Sequence, residues 1–539
     1  MDSSTRRRRP PTSEPSSSSS YSKLDKPEKA DDGGRDSGLN WKMAFVCLAL
    51  LRYMSATSNI IHDCDEVFNY WEPLHYLLYG SGFQTWEYSS AFALRSYLYI
   101  LFHKVVAGPA SWLFQEEKFR VFYSVRLYLG LISAITETVL VVALSRKYGK
   151  RLASYALAML CLSSGCFFAS TSFLPSSFSM YSVSLSSALF LLEKPALAVS
   201  VAAVGVLLGW PFSILAVLPV TLYSLISATS RKQVFLTGIV TSLVILVLSI
   251  FTDCYYYGRW TSSIFNLLVY NVLGGGESHL YGTEGVLFYM RNGFNNFNVS
   301  FILAGLFLGI LPIAKKKFLY PIYPLICVAA AAVIESFPDV FRDKYAVDDS
   351  PIVKVAKFLR PVALGLILCA SHARTFSILN GYSAPLQIYK HLEHHEEDGI
   401  GSVVCVGSEW HRYPSSFFVP SYVREVRWID DGFRGLLPFP FNSTLGGTAA
   451  APPYFNNKNK ASEEQYLRDL DACTFLVELD LARPYPSRGR DLSTWEAVSA
   501  LHYLDRELSP PFHRAFFIPN YWMQKNVFGL YKLQKRIPK

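Results

Sequence analysis

The 539-residue sequence predicts a mainly α, polytopic membrane protein with a C-terminal α+β domain, and three observations carry that expectation. Apolar residues make up 51% of the chain and charged residues only 17%, which suits a lipid-facing body better than a soluble multidomain protein. Apolar runs of membrane-spanning length recur between residues 43 and 373. Past about residue 375 those runs shorten while Asp, Glu, Gly and Pro become frequent, as in a water-exposed domain.

Residues 1–39 are rich in Ser, Pro, Arg and Asp and nearly lack large apolar side chains, so they cannot offset the entropy of ordering. This is the pattern of a disordered basic tail on the cytoplasmic side. It does not read as a cleavable signal, because the apolar run starts late and is long. Spans are then expected at 43–60, 121–145, 152–174, 196–229 (divisible at Trp210-Pro211), 234–252, 297–314, 318–335 and 355–373, with a weaker one at 178–192. Roughly ten helices follow, giving a membrane domain over 40–374. The stretch 91–114 is interrupted by His103-Lys104 and reads as an interfacial helix.

Loop charges orient the set. The basic tail holds the start of the first span in the cytoplasm and puts the loop 61–118 on the opposite face. Arg146-Lys147 and Arg231-Lys232 then return to the cytoplasm. The domain 375–539, with short buried strands expected at 401–407 and 474–480, falls on the face of the 61–118 loop. Two Asn-x-Ser/Thr acceptors occur, at Asn298 and Asn442, and use of Asn442 would make that face lumenal. Cys405 and Cys473 would pair in such an oxidising compartment. The other cysteines include Cys47, Cys161, Cys166, Cys327 and Cys369 inside apolar runs; none shows CxxC spacing, so they read as core residues. The net charge of +9 resides largely in Arg6–Arg9 and short span-end loops, which argues for no nucleic-acid partner.

One place breaks the count. Lys315–Lys317 and the segment from Arg342 to Arg360 both read as cytoplasmic, yet a single apolar run separates them. Either that run is re-entrant or a span is missing before it.

The loop 61–118 concentrates the chemistry. Asp63, Asp65, Glu66, Glu72 and Glu87 follow the first span directly, interleaved with Phe68, Tyr70, Trp71, Trp86 and Tyr88. Acids against a membrane span are costly unless solvated, paired or functional, and the aromatics suit a headgroup boundary. Asp63-Cys64-Asp65 has the form of a metal-diphosphate Asp-x-Asp, but no glycine-rich strand-to-helix fingerprint accompanies it. An acidic helix cap is an equally good reading. The segment 270–285 supplies Gly274–Gly276 beside Glu277, His279, Tyr281 and Glu284, a loop able to close on a polar ligand.

The run 63–100, with FLPSSFSMY (173–181), GWPF (209–212), HLYGTEG (279–285) and FLYPIYPL (318–325), resembles glycosyltransferase family 22, the dolichol-phosphate-mannose-dependent α-1,2-mannosyltransferases of lipid-linked oligosaccharide assembly. The resemblance implies a C-type glycosyltransferase: a multi-spanning helical bundle in the endoplasmic reticulum membrane, with its site on the lumenal face. It implies dolichyl-phosphate mannose as donor, a dolichyl-diphosphate-linked oligosaccharide as acceptor, inversion at the anomeric carbon, and no metal or other cofactor. Asp65 is implied as the base with Asp63 and Glu66 in support, and Arg95, Glu87, His279 and Tyr281 as substrate contacts. The family carries a His-Lys-Glu-x-Arg-Phe motif, preceded by another span, just before the Phe-x-x-Pro-x-x-Pro element. Here Lys317 runs straight into Phe318, where the charge count failed, which implies an impaired form lacking one span. On residues alone, a polytopic transporter or flippase and a non-catalytic scaffold remain as rivals. Glu137 is the clearest mid-span charge that either would use.

Overall fold

The computed structural model describes residues 38–227, 230–273, 280, 284–308, 322–340, 351–395 and 400–538. The tail, His279, Tyr281, Gly274–Gly276 and the junction 315–318 lie outside them. Most of the described chain is helical, with a small sheet region at the C-terminal end.

The first expected span forms the helix Trp41–Ser58, whose Asn40 cap accepts from Lys42 N–H at 3.0 Å. It packs along Lys118–Tyr148, and the two are joined by Arg52 and Glu137, both 1% exposed, at 2.8 Å. Lys118–Tyr148 and Arg231–Tyr257 are long and apolar enough to cross a membrane, and shorter apolar helices stand at Pro195–Gly209, Pro211–Ile226, Ser263–Val272 and Tyr323–Ser336. The interfacial stretch forms the helix Tyr97–Phe114, packed on Lys118–Tyr148 with Trp112 80% exposed.

Three expected spans are broken. The run 152–174 divides at Ser163, whose hydroxyl caps the next turn by accepting from Cys166 N–H. The run 196–229 divides at Trp210-Pro211, where proline's missing N–H ends the ladder. The helix Val286–Leu308 is interrupted by Asn298 at φ 43°, so the span expected to start at 297 starts at 286 and kinks. The weak run 178–192 forms the helix Pro175–Leu191 and is mostly buried. Two of its serines return their hydroxyls to carbonyls, Ser182 to Phe178 and Ser186 to Ala198, so burial leaves those two groups satisfied.

The strands are β1 (Phe83–Gln84), β2 (Ser402–Val406), β3 (Val423–Trp428), β4 (Phe439–Pro440), β5 (Phe475–Asp480), β6 (Trp495–Leu504) and β7 (Phe528–Arg536). Five of them form a sheet in the order β3-β2-β5-β7-β6, parallel across β3-β2-β5 and antiparallel beyond. β2 is buried at every residue and β5 at all but its last, which is why both are dominated by apolar residues. The expected disulfide is present, Cys405 of β2 to Cys473 beside β5.

The boundary expected at 374/375 falls inside the helix Pro351–Tyr382, and residues 38–539 form one compact unit. β1 of the first loop pairs antiparallel with β4, and one apolar cluster runs from Leu39 to Leu533.

Candidate active site

The acidic loop folds onto the motif helices through its own carboxylates. Asp63 caps the single turn Cys64–Glu66, its Oδ1 accepting from Asp65 N–H at 3.0 Å. Glu66 is 2% exposed and its Oε1 accepts from Trp71 Nε1 at 3.1 Å and from Phe173 N–H at 2.9 Å. Burial pushes the Glu66 carboxyl above its ordinary range, opposed by the Arg126 charge and by those donors. Two of the three implied catalytic acids are thus committed to shaping the loop, and Glu66 anchors it to the Phe173–Tyr181 motif. Asp65, half-buried between them, lies within electrostatic reach of Arg95 and Tyr70. The potential ligand atoms of Asp63, Cys64 and Asp65 lie within 4.8 Å of one another.

Arg95 and Glu87 are brought together as a two-toothed pair, Nε to Oε2 at 2.7 Å and Nη2 to Oε1 at 3.2 Å. Arg95 Nη1 donates to Tyr70 Oη at 2.9 Å, and its guanidinium lies over the rings of Tyr70 and Trp210. Its carbonyl accepts from Tyr257 Oη at 2.6 Å and Ser263 Oγ at 3.2 Å, while Asp253 accepts from Ser96 Oγ and Tyr97 N–H. The backbone and the side chain of Arg95 are therefore both fixed.

A cavity of about 40 Å³ opens beside it, lined by Tyr70, Arg95, Tyr99, Pro175, Trp210 and Pro211 among others. Three separate sequence motifs meet there. Gly209 permits the approach, since a Cβ would stand 2.6 Å from Ser179 Oγ and 3.1 Å from the Pro175 carbonyl oxygen. On the other side of the loop lies a cleft of about 980 Å³, walled by Ile60–Cys64, by the ends of the helices Val286–Leu308 and Pro351–Tyr382, and by the C-terminal sheet region.

Sequence reasoning missed Tyr70, Trp210, Asp253 and Tyr257 as supports of Arg95. The Trp210 signal was available, since Gly209–Phe212 is one of the resemblance motifs. Asp253 lies four residues before the end of the helix Arg231–Tyr257, and its sequence neighbours do not point to Arg95. Glu72 is buried and accepts from Phe83 N–H, Ser416 N–H and the hydroxyls of Ser415 and Ser416, so it is a clamp between loop and C-terminal region. Asn442 is exposed, its Oδ1 accepting from Thr444 N–H at 2.9 Å. Asn298 is 2% exposed and gives its Nδ2 to Ser371 Oγ at 2.8 Å, so in this fold its amide is not presented for modification.

The sequence profile of the Alg9-like mannosyltransferase family matches residues 43–317 and 306–420. The two stretches overlap at residues 306–317. The chain is 66% identical to "Alpha-1,2-mannosyltransferase ALG9" of Arabidopsis thaliana across 96% of both chains, and 34% and 33% identical to the proteins of the same name from Homo sapiens, covering 93% of this chain and 90% of the relative, and Mus musculus, covering 95% and 91%. The Arabidopsis alignment runs over 549 residues, longer than this chain's 539, so the relative has positions that this chain does not.

Proposed function

The chain belongs to the Alg9-like mannosyltransferase family, and from that membership we propose that Asp65, Arg95 and Glu87 form the centre of an inverting mannosyl transfer at a membrane surface. It is an α-1,2-mannosyltransferase of N-glycan precursor assembly. Its substrates are a lipid-linked sugar donor and a lipid-linked acceptor, which we take to be dolichyl-phosphate mannose and a dolichyl-diphosphate oligosaccharide. The reaction lies on the lumenal face of the endoplasmic reticulum membrane, on the side reached by the loop 61–118 and the exposed Asn442.

The observation that carries this reading is the convergence of Arg95, Pro175 and Gly209–Pro211 on one cavity, with Asp65 in electrostatic reach of Arg95. A mannose 2-hydroxyl of the acceptor attacks the anomeric carbon and gives its proton to the Asp65 carboxylate. The electrons of the cleaved carbon–oxygen bond pass to the phosphate. Asp63 and Glu66 hold the turn, and Glu87 orients Arg95 toward the sugar and aromatic ledge of Tyr70 and Trp210. The leaving phosphate is a weak base and needs positive charge more than a proton. We assign no metal to this step, because Asp63 Oδ1 is engaged as a cap and guanidinium groups stand where negative charge would gather.

Asp65→Asn keeps the shape and removes the proton acceptor, so turnover falls by about two to four orders of magnitude with lipid binding retained. Single-turnover assay with dolichyl-phosphate mannose, in a form whose membrane domain is complete, measures it. Unaltered turnover by folded protein would remove Asp65 from the reaction.

A further inference from the structure

The helix Arg231–Tyr257 turns most of its length outward, with Phe235, Leu243 and Phe251 exposed, and only Val234, Ser249, Asp253 and Tyr257 are buried along it. The last three recur every four residues and so form one polar stripe on an apolar helix. Burying such groups is costly unless they hold something. All three reach the segment 90–97, which carries Arg95. Ser249 Oγ lies 3.0 Å from Ser96 Oγ, and Asp253 Oδ1 accepts from Ser96 Oγ and Tyr97 N–H, both at 2.9 Å. Tyr257 Oη donates to the Arg95 carbonyl at 2.6 Å.

The chain beyond the helix continues the grip. Arg259 donates to the carbonyls of Ser90 and Ala91, Asn266 Nδ2 to those of Phe92 and Ala93, and Ser263 Oγ to that of Arg95. Ala93 stands at φ 45°, a backbone conformation that a residue with a Cβ keeps only when its surroundings over-determine it. That strain sits two residues before Arg95. Asp253 is fully buried and forms no ion pair among the described residues; its oxygens accept from hydroxyls and backbone N–H groups of Ser96, Tyr97, Ser249 and Ser263. A buried polar network satisfied in this way rigidifies what it holds.

We infer that Asp253, with Tyr257 and Asn266, is a positioning residue of mannosyl transfer that acts through Arg95. The inference rests on the reading that puts Arg95 at the reaction centre. Glu87 and Tyr70 fix the guanidinium end of that side chain, whereas the segment 249–266 fixes the backbone from which it starts. Slack in the backbone shifts the guanidinium relative to Asp65, and a displacement of about 1 Å costs about a hundredfold in rate.

Phenylglyoxal, which modifies accessible guanidinium groups, reads the placement in the full chain in detergent without any turnover. Arg95, whose side chain is 14% exposed, should react slowly in wild type. Asp253→Ala should speed its modification by about fivefold or more, while Arg412, paired with Glu409, keeps its rate. Tyr257→Phe and Asn266→Ala make the same test if Asp253→Ala does not fold, and Asp253→Asn, which keeps one acceptor oxygen, should lie between. In a form competent for transfer, Asp253→Ala should lower kcat about tenfold to a hundredfold and leave KM for both substrates within about twofold. Because the effect passes through Arg95, Asp253→Ala should add no further loss to Arg95→Lys, whereas a general loosening of the fold would multiply with it. Unchanged Arg95 reactivity, an unchanged kcat or multiplicative losses would each overturn the inference. A loss in Arg95→Lys with none in Asp253→Ala would remove the inference alone; full turnover by Arg95→Lys would remove the reading on which it was built, and the inference with it.

Discussion

At the scale of single residues, the acids of the first loop divide by what their oxygens hold. Asp63 is a cap, Glu66 an anchor and Glu72 a clamp, and a sequence cannot separate these because all three are carboxylates in one aromatic-rich stretch. The partners of Glu72, Ser415 and Ser416, are more than 340 residues away. His75 yields a testable consequence of the same burial. Its Nδ1 donates to the Ser81 carbonyl at 2.6 Å, and burial, with the Lys118 charge second, pulls the imidazole down to about 3. The unfolded chain therefore binds a proton below about pH 6.5 that the native state refuses until about pH 3, so this contribution is complete above 6.5 and lost as the pH falls through that window. The slope reaches about 1.4 kcal/mol per pH unit. Thermal unfolding in detergent from pH 7 to 4 should fall more steeply for wild type than for His75→Asn, which keeps a donor without the titration. Parallel curves would show that His75 is not the titrating group.

At the scale of elements, helices were legible wherever hydrophobicity alone decides, as in Trp41–Ser58 and Arg231–Tyr257. Proline made the Trp210-Pro211 break legible as well. Ser163 and Asn298 were not, since each fits an apolar run in composition and breaks it only through its own backbone and side-chain hydrogen bonds. Glu137 was singled out as a mid-span charge, but not its partner. The structure closes it on Arg52 with three hydrogen bonds of 2.8–3.1 Å, and Arg52 also donates to the Leu160 carbonyl. A charge neutralised inside the helix pair is an element-joining device and marks no transport path. Glu137→Gln leaves Arg52 buried without its counter-ion and should cost about 3–5 kcal/mol, while Arg52→Leu/Glu137→Leu should recover most of the loss. Chemical denaturation in micelles, read as a double-mutant cycle, measures both. A single variant as stable as wild type would show that the pair contributes nothing to holding the two helices together.

At the scale of the whole molecule, the match to the family falls into two stretches that meet at residues 306–317, beside the place where the loop charges fail to balance. Both would follow if one span and its basic motif were absent between Lys317 and Phe318. Losing a span either inverts everything after it or forces 318–335 to re-enter the bilayer, and either course leaves the reaction centre incomplete. The 539-residue chain should therefore fail to restore α-1,2-mannosyl transfer in cells lacking the enzyme, while a form with the segment restored succeeds; lipid-linked oligosaccharide profiles read the outcome. Full restoration by the present chain would show that Lys315–Lys317 can replace the motif. The sequence by itself determined the mainly helical, apolar character, the buried strands β2 and β5 and the family, because each follows from local residue pattern or from motifs contiguous in the chain, and it named Cys405 and Cys473 as a pair. Only the tertiary structure decided that the first loop and the C-terminal sheet region are one body, joined by β1–β4 pairing, the Glu72 clamp and stacked rings such as Tyr76 and Phe441. It also decided that Arg95 is matched by Glu87 and held at its carbonyl by Tyr257. How a side chain is held depends on which distant groups arrive beside it, and long-range packing leaves no periodic trace in a sequence.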